Sequence, residues 1–143
     1  MTSMSWMPIA PRPSAREFAA GSHTVLWQAS DDPRLSSVAR AALLDPANTL
    51  LFSSVTSWEI VIKHATSKLT LPVDPQNFVK SALRQGDYRV LEITLGDTLV
   101  VTGLAAHHRD PFDRLLVAQA LRRNLTILGN DEQMAKYGVA MLW

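Results

Sequence analysis

The chain contains no cysteine. That excludes a disulfide scaffold and any metal site built on thiolates. No apolar run approaches the roughly 18 residues that a membrane-spanning helix needs, so no membrane partner is expected. There is no surplus of charge of either sign: 14 Lys and Arg stand against 13 Asp and Glu, a formal charge of +1. Binding to a polyanion through overall charge is therefore not indicated, although a local basic patch can hide in a balanced total. Ser22 and Ser54 lack the context of a nucleophile elbow, which sets aside a serine hydrolase. What is present is the composition of a globular protein, 47% hydrophobic and 19% charged over 143 residues, which suggests one domain. A reducing compartment suits such a chain, and a cytoplasmic location is expected.

Residues 1–20 differ from the rest. They carry Pro8, Pro11 and Pro13, the cations Arg12 and Arg16, and little periodicity, and read as a flexible or atypical extension. They lack the continuous apolar core of a secretion signal. From residue 21 to 143 the pattern is that of an α/β domain without repeats or internal linkers. An apolar segment at 24–27 can begin a helix, and Ser36 is placed to cap a helix over 38–44. Strands are expected at 49–53, 89–93, 126–128 and 139–143. Helices are expected at 56–65, 76–84, 95–106, 111–123 and 132–137, with Gly86 closing the second of these. Strands alternating with helices imply right-handed crossovers and a mostly parallel sheet.

The most informative stretch is His107-His108-Arg109-Asp110-Pro111-Phe112-Asp113-Arg114-Leu115-Leu116. Proline fits the first turn of a helix, where its missing N–H has no partner to lose. Asp110 then becomes the N-cap and Asp113 the third helical residue, and a following apolar run buries the helix. In a parallel sheet, ligands bind beyond the carboxyl ends of the strands. Glu59 follows the strand at 49–53, Asp131 follows the strand at 126–128, and Asp113 opens its helix, so the three can face one crevice. Clustered carboxylates repel one another and raise each other's pKa. A hard divalent ion relieves that repulsion and prefers oxygen ligands. Without cysteine or a metal-spaced pair of histidines, magnesium or manganese is favoured over zinc. Such an ion can activate water against a phosphodiester.

Each acid also has a purely structural explanation. Thr56-Ser57-Trp58-Glu59 matches a capping box, and Glu59 can pair with Lys63 one turn on. Asp110 can cap its helix, Asp113 can answer the helix dipole, and Asp131 can cap the last helix. By spacing alone the structural account is favoured, and Asp110 reads as structural even beside a metal. His107 and His108 can meet phosphate or simply face solvent, and His23 can orient a carboxylate or bond backbone. Lys63, His64 and Lys68 form a basic helix end that can touch RNA phosphates or merely complement the dipole. Trp27 and Trp58 are expected in the core rather than as platforms for bases.

In order and spacing these segments resemble the PIN-domain family, and within it the VapC-type toxin ribonucleases. The resemblance covers roughly residues 21–143. It is carried by His23-Thr24-Val25-Leu26-Trp27 with Asp32-Pro33-Arg34-Leu35-Ser36, by Ser57-Trp58-Glu59-Ile60 with Lys63-His64 and Lys68-Leu69, and most strongly by His108 to Leu116. The end of the chain, Leu125-Thr126-Ile127-Leu128 through Asp131 to Tyr137-Gly138-Val139 and Leu142-Trp143, also matches. The resemblance implies a three-layer α/β/α fold around a mostly parallel sheet. It implies a magnesium- or manganese-dependent endoribonuclease with Glu59, Asp113 and Asp131 as metal-binding and catalytic acids, and no organic cofactor. It implies an antitoxin partner of the VapB type, an RNA substrate and a homodimer. Arg109, Arg114 and Lys63 would steer the RNA backbone.

One departure is conspicuous. Where the family ends its first strand in an aspartate, followed by Thr or Ser and then His, this chain has Gly21-Ser22-His23. The preceding Arg16-Glu17-Phe18-Ala19-Ala20 makes a poor buried strand by pattern, so the first strand is expected to be atypical or missing. Loss of the first acid would impair the nuclease. The alternative function is a catalytically inactive PIN-fold module that binds an antitoxin or RNA.

Overall fold

The structure, a computed structural model, describes residues 16–107 and 109–143. Residues 1–15 of the extension expected over 1–20, and His108, lie outside the described residues. Five parallel strands form one sheet: β1 (Glu17–Ala20), β2 (Thr49–Ser53), β3 (Arg89–Leu91), β4 (Thr126–Leu128) and β5 (Met141–Leu142), in the spatial order β3-β2-β1-β4-β5. Among the described residues, seven α-helices accompany them: α1 (Ser22–Ala29), α2 (Ser37–Leu44), α3 (Ser54–Ala65), α4 (Pro75–Gln85), α5 (Leu95–Val100), α6 (Pro111–Arg123) and α7 (Glu132–Ala135). The expected α/β/α sandwich is present.

The first strand is not missing, and here the sequence-based expectation is corrected. β1 is the middle strand, with Phe18 opposite Leu50 on one side and Thr126 on the other. Phe18, Ala19 and Ala20 are all buried. A central parallel strand is covered on both faces, so it need not alternate polar with apolar, and small residues let helices approach it closely. Residues 17–20 thus belong to the sheet.

Two apolar layers flank the sheet, and the strand period of two divides residues between them. Phe18, Ala20, Leu50, Phe52 and Leu128 face one layer, with Val25 of α1, Ala39 and Leu43 of α2, Ile60 of α3 and Phe78 of α4. Ala19 and Ile127 face the other, with Leu116, Val117 and Ala120 of α6 and Met134 of α7.

Helix ends follow local chemistry. Ser36 caps α2 and Asp74 caps α4 ahead of Pro75. α3 begins two residues earlier than expected, because the Ser53 hydroxyl accepts from the Val55 N–H at 3.0 Å. Thr56 therefore lies inside the helix and buried, and the expected Thr56–Glu59 capping box is not made. The helix expected over 95–106 is shorter: α5 ends at Val100 and a 3₁₀ turn covers Val101–Gly103. Its anchor is Asp97, fully buried, which forms a capping box with Thr94 and accepts from Arg122 and Arg123 of α6 at 2.6 Å each. Gln119 of α6 joins this group, donating to Asp97 Oδ2 at 3.2 Å and accepting from the Ser53 hydroxyl. The Asp97 carboxyl sits well below the usual carboxylate range. Burial pushes it up, but hydrogen bonds from Arg123, the Thr94 N–H, Arg122 and Gln119 outweigh that. This buried polar knot sets the position of α6, the helix that presents Asp113.

Candidate metal centre

The sheet order reverses direction between β1 and β4, and such a switch point opens a crevice at the carboxyl ends of the strands. A cavity of about 250 Å³ lies there, lined by Gly21, Ser22, His23 and Thr24 after β1 and by Gly129, Asn130 and Asp131 after β4. Glu59 and Lys63 of α3 and Asp110 and Asp113 at the start of α6 complete its polar wall.

Among the described residues, Glu59, Asp110 and Asp113 each bring a carboxylate oxygen within 4.8 Å of the other two. Of the three acids expected from sequence, the structure thus joins Glu59 and Asp113. Asp131 lines the same cavity but stands outside that group. Asp110, expected to be structural only, joins it. The capping geometry explains why. Asp110 Oδ1 accepts from the Phe112 N–H at 2.8 Å and the Asp113 N–H at 3.4 Å, while Oδ2 lies 4.0 Å from the Lys63 ammonium. Residues three apart on a helix's first turn share a face, so a cap at 110 and an acid at 113 meet without further design. That spacing is the signal present in the sequence, and a carboxylate can cap with one oxygen while the other stays available to a ligand. Asp131 behaves likewise, with Oδ1 accepting from the Gln133 N–H at 2.8 Å to cap α7.

Glu59 is only 5% exposed. Lys63, one helical turn on, donates to its Oε2. Burial pulls the Lys63 ammonium toward neutrality, but the Glu59 hydrogen bond and the charges of Glu59, Asp110 and Asp113 outweigh it and hold the group above the ordinary lysine range.

Gly21 needs no special backbone. At φ −69° and ψ 162° it is the N-cap of α1, and its N–H donates to Leu128 O at 3.1 Å. A Cβ there would meet Leu128 O at 3.5 Å and Thr24 Oγ1 at 3.8 Å, ordinary contacts. The glycine therefore leaves out a side chain the fold has room to begin.

The remaining candidates separate clearly. Arg114 is a clamp: its guanidinium donates to Ala105 O at 2.9 Å, Val101 O at 3.1 Å and the Tyr137 hydroxyl at 3.1 Å. Arg109 is exposed. His107 is exposed with its ring edge against Tyr137. His23 lines the cavity and stacks on Trp27 at 5.3 Å. Trp27 packs against the core and under Arg34. Trp58, expected in the core, is 56% exposed. It lines an apolar groove with Val61, Val79, Leu83 and Val90.

The PIN domain model matches residues 23–140. The chain belongs to the PIN-domain family. No curated protein matches in sequence. Among solved structures, this PIN domain is similar to VapBC2 from Rickettsia felis bound to a DNA fragment from its promoter, at TM-score 0.66 and 16% identity, over 88% of this chain and 97% of that one. It is similar to VapBC-1 from nontypeable Haemophilus influenzae, at 0.63 and 13%, over 88% and 96%. VapBC-5 of Mycobacterium tuberculosis, a toxin–antitoxin family member, aligns at 0.55 and 16%, over 91% and 98%. At these identities the likeness is one of fold. Among the described residues, no helix is long and apolar enough to cross a membrane.

Proposed function

We propose that this PIN domain is the VapC-type ribonuclease toxin of a toxin–antitoxin pair, impaired by the glycine at position 21. The observation that carries the proposal is the meeting of Glu59, Asp110 and Asp113 at the switch-point crevice, within 4.8 Å of one another. Donor chemistry supports a hard cation: the ligands are oxygens only, and one of the carboxylates is buried. Oxygens sharing one magnesium at about 2 Å each stand at most about 4 Å apart, so a small side-chain adjustment closes the group around an ion. Asp131, which lines the same cavity, would add charge. A divalent ion bound there would supply Lewis acidity and charge neutralisation for water attack on a phosphodiester.

The chain's own residues have definable parts. Glu59, Asp110 and Asp113 would bind the ion, with Asp110 and Asp131 held in orientation by their capping bonds. Lys63 and Lys68 line a second cavity that shares Ser22, His23 and Glu59 with the first, a continuous path for an RNA backbone. An antitoxin partner, supported by the fold likeness to proteins solved as VapBC complexes, and a second copy of the chain, which rests on the family resemblance alone, complete the proposal.

The test is RNA cleavage by the purified protein under a manganese titration, with Asp113→Asn and Gly21→Asp alongside. Weak cleavage by the wild type, loss of it in Asp113→Asn and a gain of tenfold or more in Gly21→Asp are expected. Gly21 itself favours a second reading, the inactive module. That reading predicts metal-independent capture of an antitoxin segment and no cleavage by any of the three proteins.

A further inference from the structure

The acids of this site already hold a cation. Lys63 Nζ donates to Glu59 Oε2 and lies 4.0 Å from Asp110 Oδ2, so one ammonium bridges α3 and α6 at the carboxylates of two of the three residues that would grip a metal. We propose that Lys63 is an exchangeable internal counter-ion: its ammonium holds the place a divalent cation takes, and it leaves when that cation binds. This rests on the metal-site reading above.

Three features support it. First, an ordinary surface pair one helical turn apart has both partners in water, whereas Glu59 is only 6% exposed in its side chain and Lys63 37%. Second, an ammonium and a divalent ion crowded onto the same carboxylates repel, so entry of the metal drives Lys63 away. Third, Lys63 has somewhere to go, because it also lines the adjoining cavity of about 210 Å³ beside His23, Lys68 and Leu69. A lysine stem has the rotamer freedom to swing there. Turned that way, its charge faces the path proposed for the RNA backbone. The same side chain would keep the acids together in the empty protein and, once displaced, add a positive charge for a phosphate.

Metal binding, not activity, tests this. Manganese affinity is measured by calorimetry for the wild type and for Lys63→Met and Lys63→Gln, which keep the stem and lose the charge, with Lys63→Arg retaining the charge. Exchange predicts at least tenfold tighter manganese binding in the neutral variants and near wild-type affinity in Lys63→Arg. A second measurement needs no variant. The lysines are Lys63, Lys68, Lys80 and Lys136. With ¹³C-labelled lysine, a magnesium titration of the wild type should move one Cε signal in step with site occupancy. Equal or weaker binding by the folded neutral variants, or magnesium binding that leaves every lysine signal still, overturns the proposal while the metal site stands. Absence of divalent binding in every form overturns the metal reading and the exchange together.

Discussion

At Asp110 one carboxylate oxygen closes the first turn of α6 while the other faces Lys63. Substitutions can part the two duties. Asp110→Ala should lose about 1 kcal/mol of stability with the cap and weaken manganese binding. Asp110→Asn keeps an oxygen for the Phe112 and Asp113 N–H groups, so it should melt within about 0.5 kcal/mol of wild type yet bind manganese as poorly as the alanine. Equal losses of stability in both would mean that charge, not the hydrogen bond, holds the helix end. The i,i+4 pairing of Glu59 with Lys63 and the cap at Asp110 were both readable from spacing, because each depends on residues within one helical turn. That Asp110 stands among the ligand candidates was less readable, since it depends on where α3 passes. Arg114 shows the same limit. Its charge suggests an RNA contact, but the carbonyls of Ala105 and Val101 and the Tyr137 hydroxyl hold its two terminal nitrogens.

Among the elements, α6 carries the most. It is tied to α5 through Asp97, whose carboxylate has no exposure and accepts from two arginines. A carboxyl held below its unfolded value contributes stability that is fully present above the unfolded pKa, about 3.9, and fades as pH falls through the folded value. Melting curves of wild type and Asp97→Asn should therefore differ by a constant amount from neutral pH down to about pH 4 and converge below it. At neutral pH the gap should be about 3 kcal/mol, the scale for stranding one side of a buried ion pair. Since α6 presents Asp113, the variant should also weaken manganese binding without touching a ligand. Strands β2 and β4 were legible because each is a short apolar run bounded by polar or turn residues. β1 was not, for Glu17-Phe18-Ala19-Ala20 contains a single large apolar side chain. Its burial comes from neighbours on both sides and both faces, which no local window records. The start of α3 was displaced for a simpler reason: Ser53 and Thr56 are both competent caps, and the chain uses the earlier one.

For the molecule as a whole, ligation and folding are linked. An ion that binds only the assembled crevice stabilises the native state by about 2.7 kcal/mol at a hundred times its dissociation constant. Manganese at that excess should raise the melting temperature by about 8 °C for a domain of this size, and EDTA should reverse the rise. Asp113→Asn should cut the shift to near zero and Gly21→Asp should enlarge it. A shift of the same size in Asp113→Asn would place the ion elsewhere.

The strand at the centre of the sheet is also the earliest among the described residues, and its second flank is supplied by Thr126–Leu128. During translation the ribosome thus releases Phe18 long before the segment that must lie beside it. Contacts so remote along the sequence close late. The pocket wall waits for them too, because it needs Asp131 and Met141. A polypeptide not yet extended through residues 126–141 therefore lacks one flank of β1 and the part of the crevice lined by Asp131 and Met141.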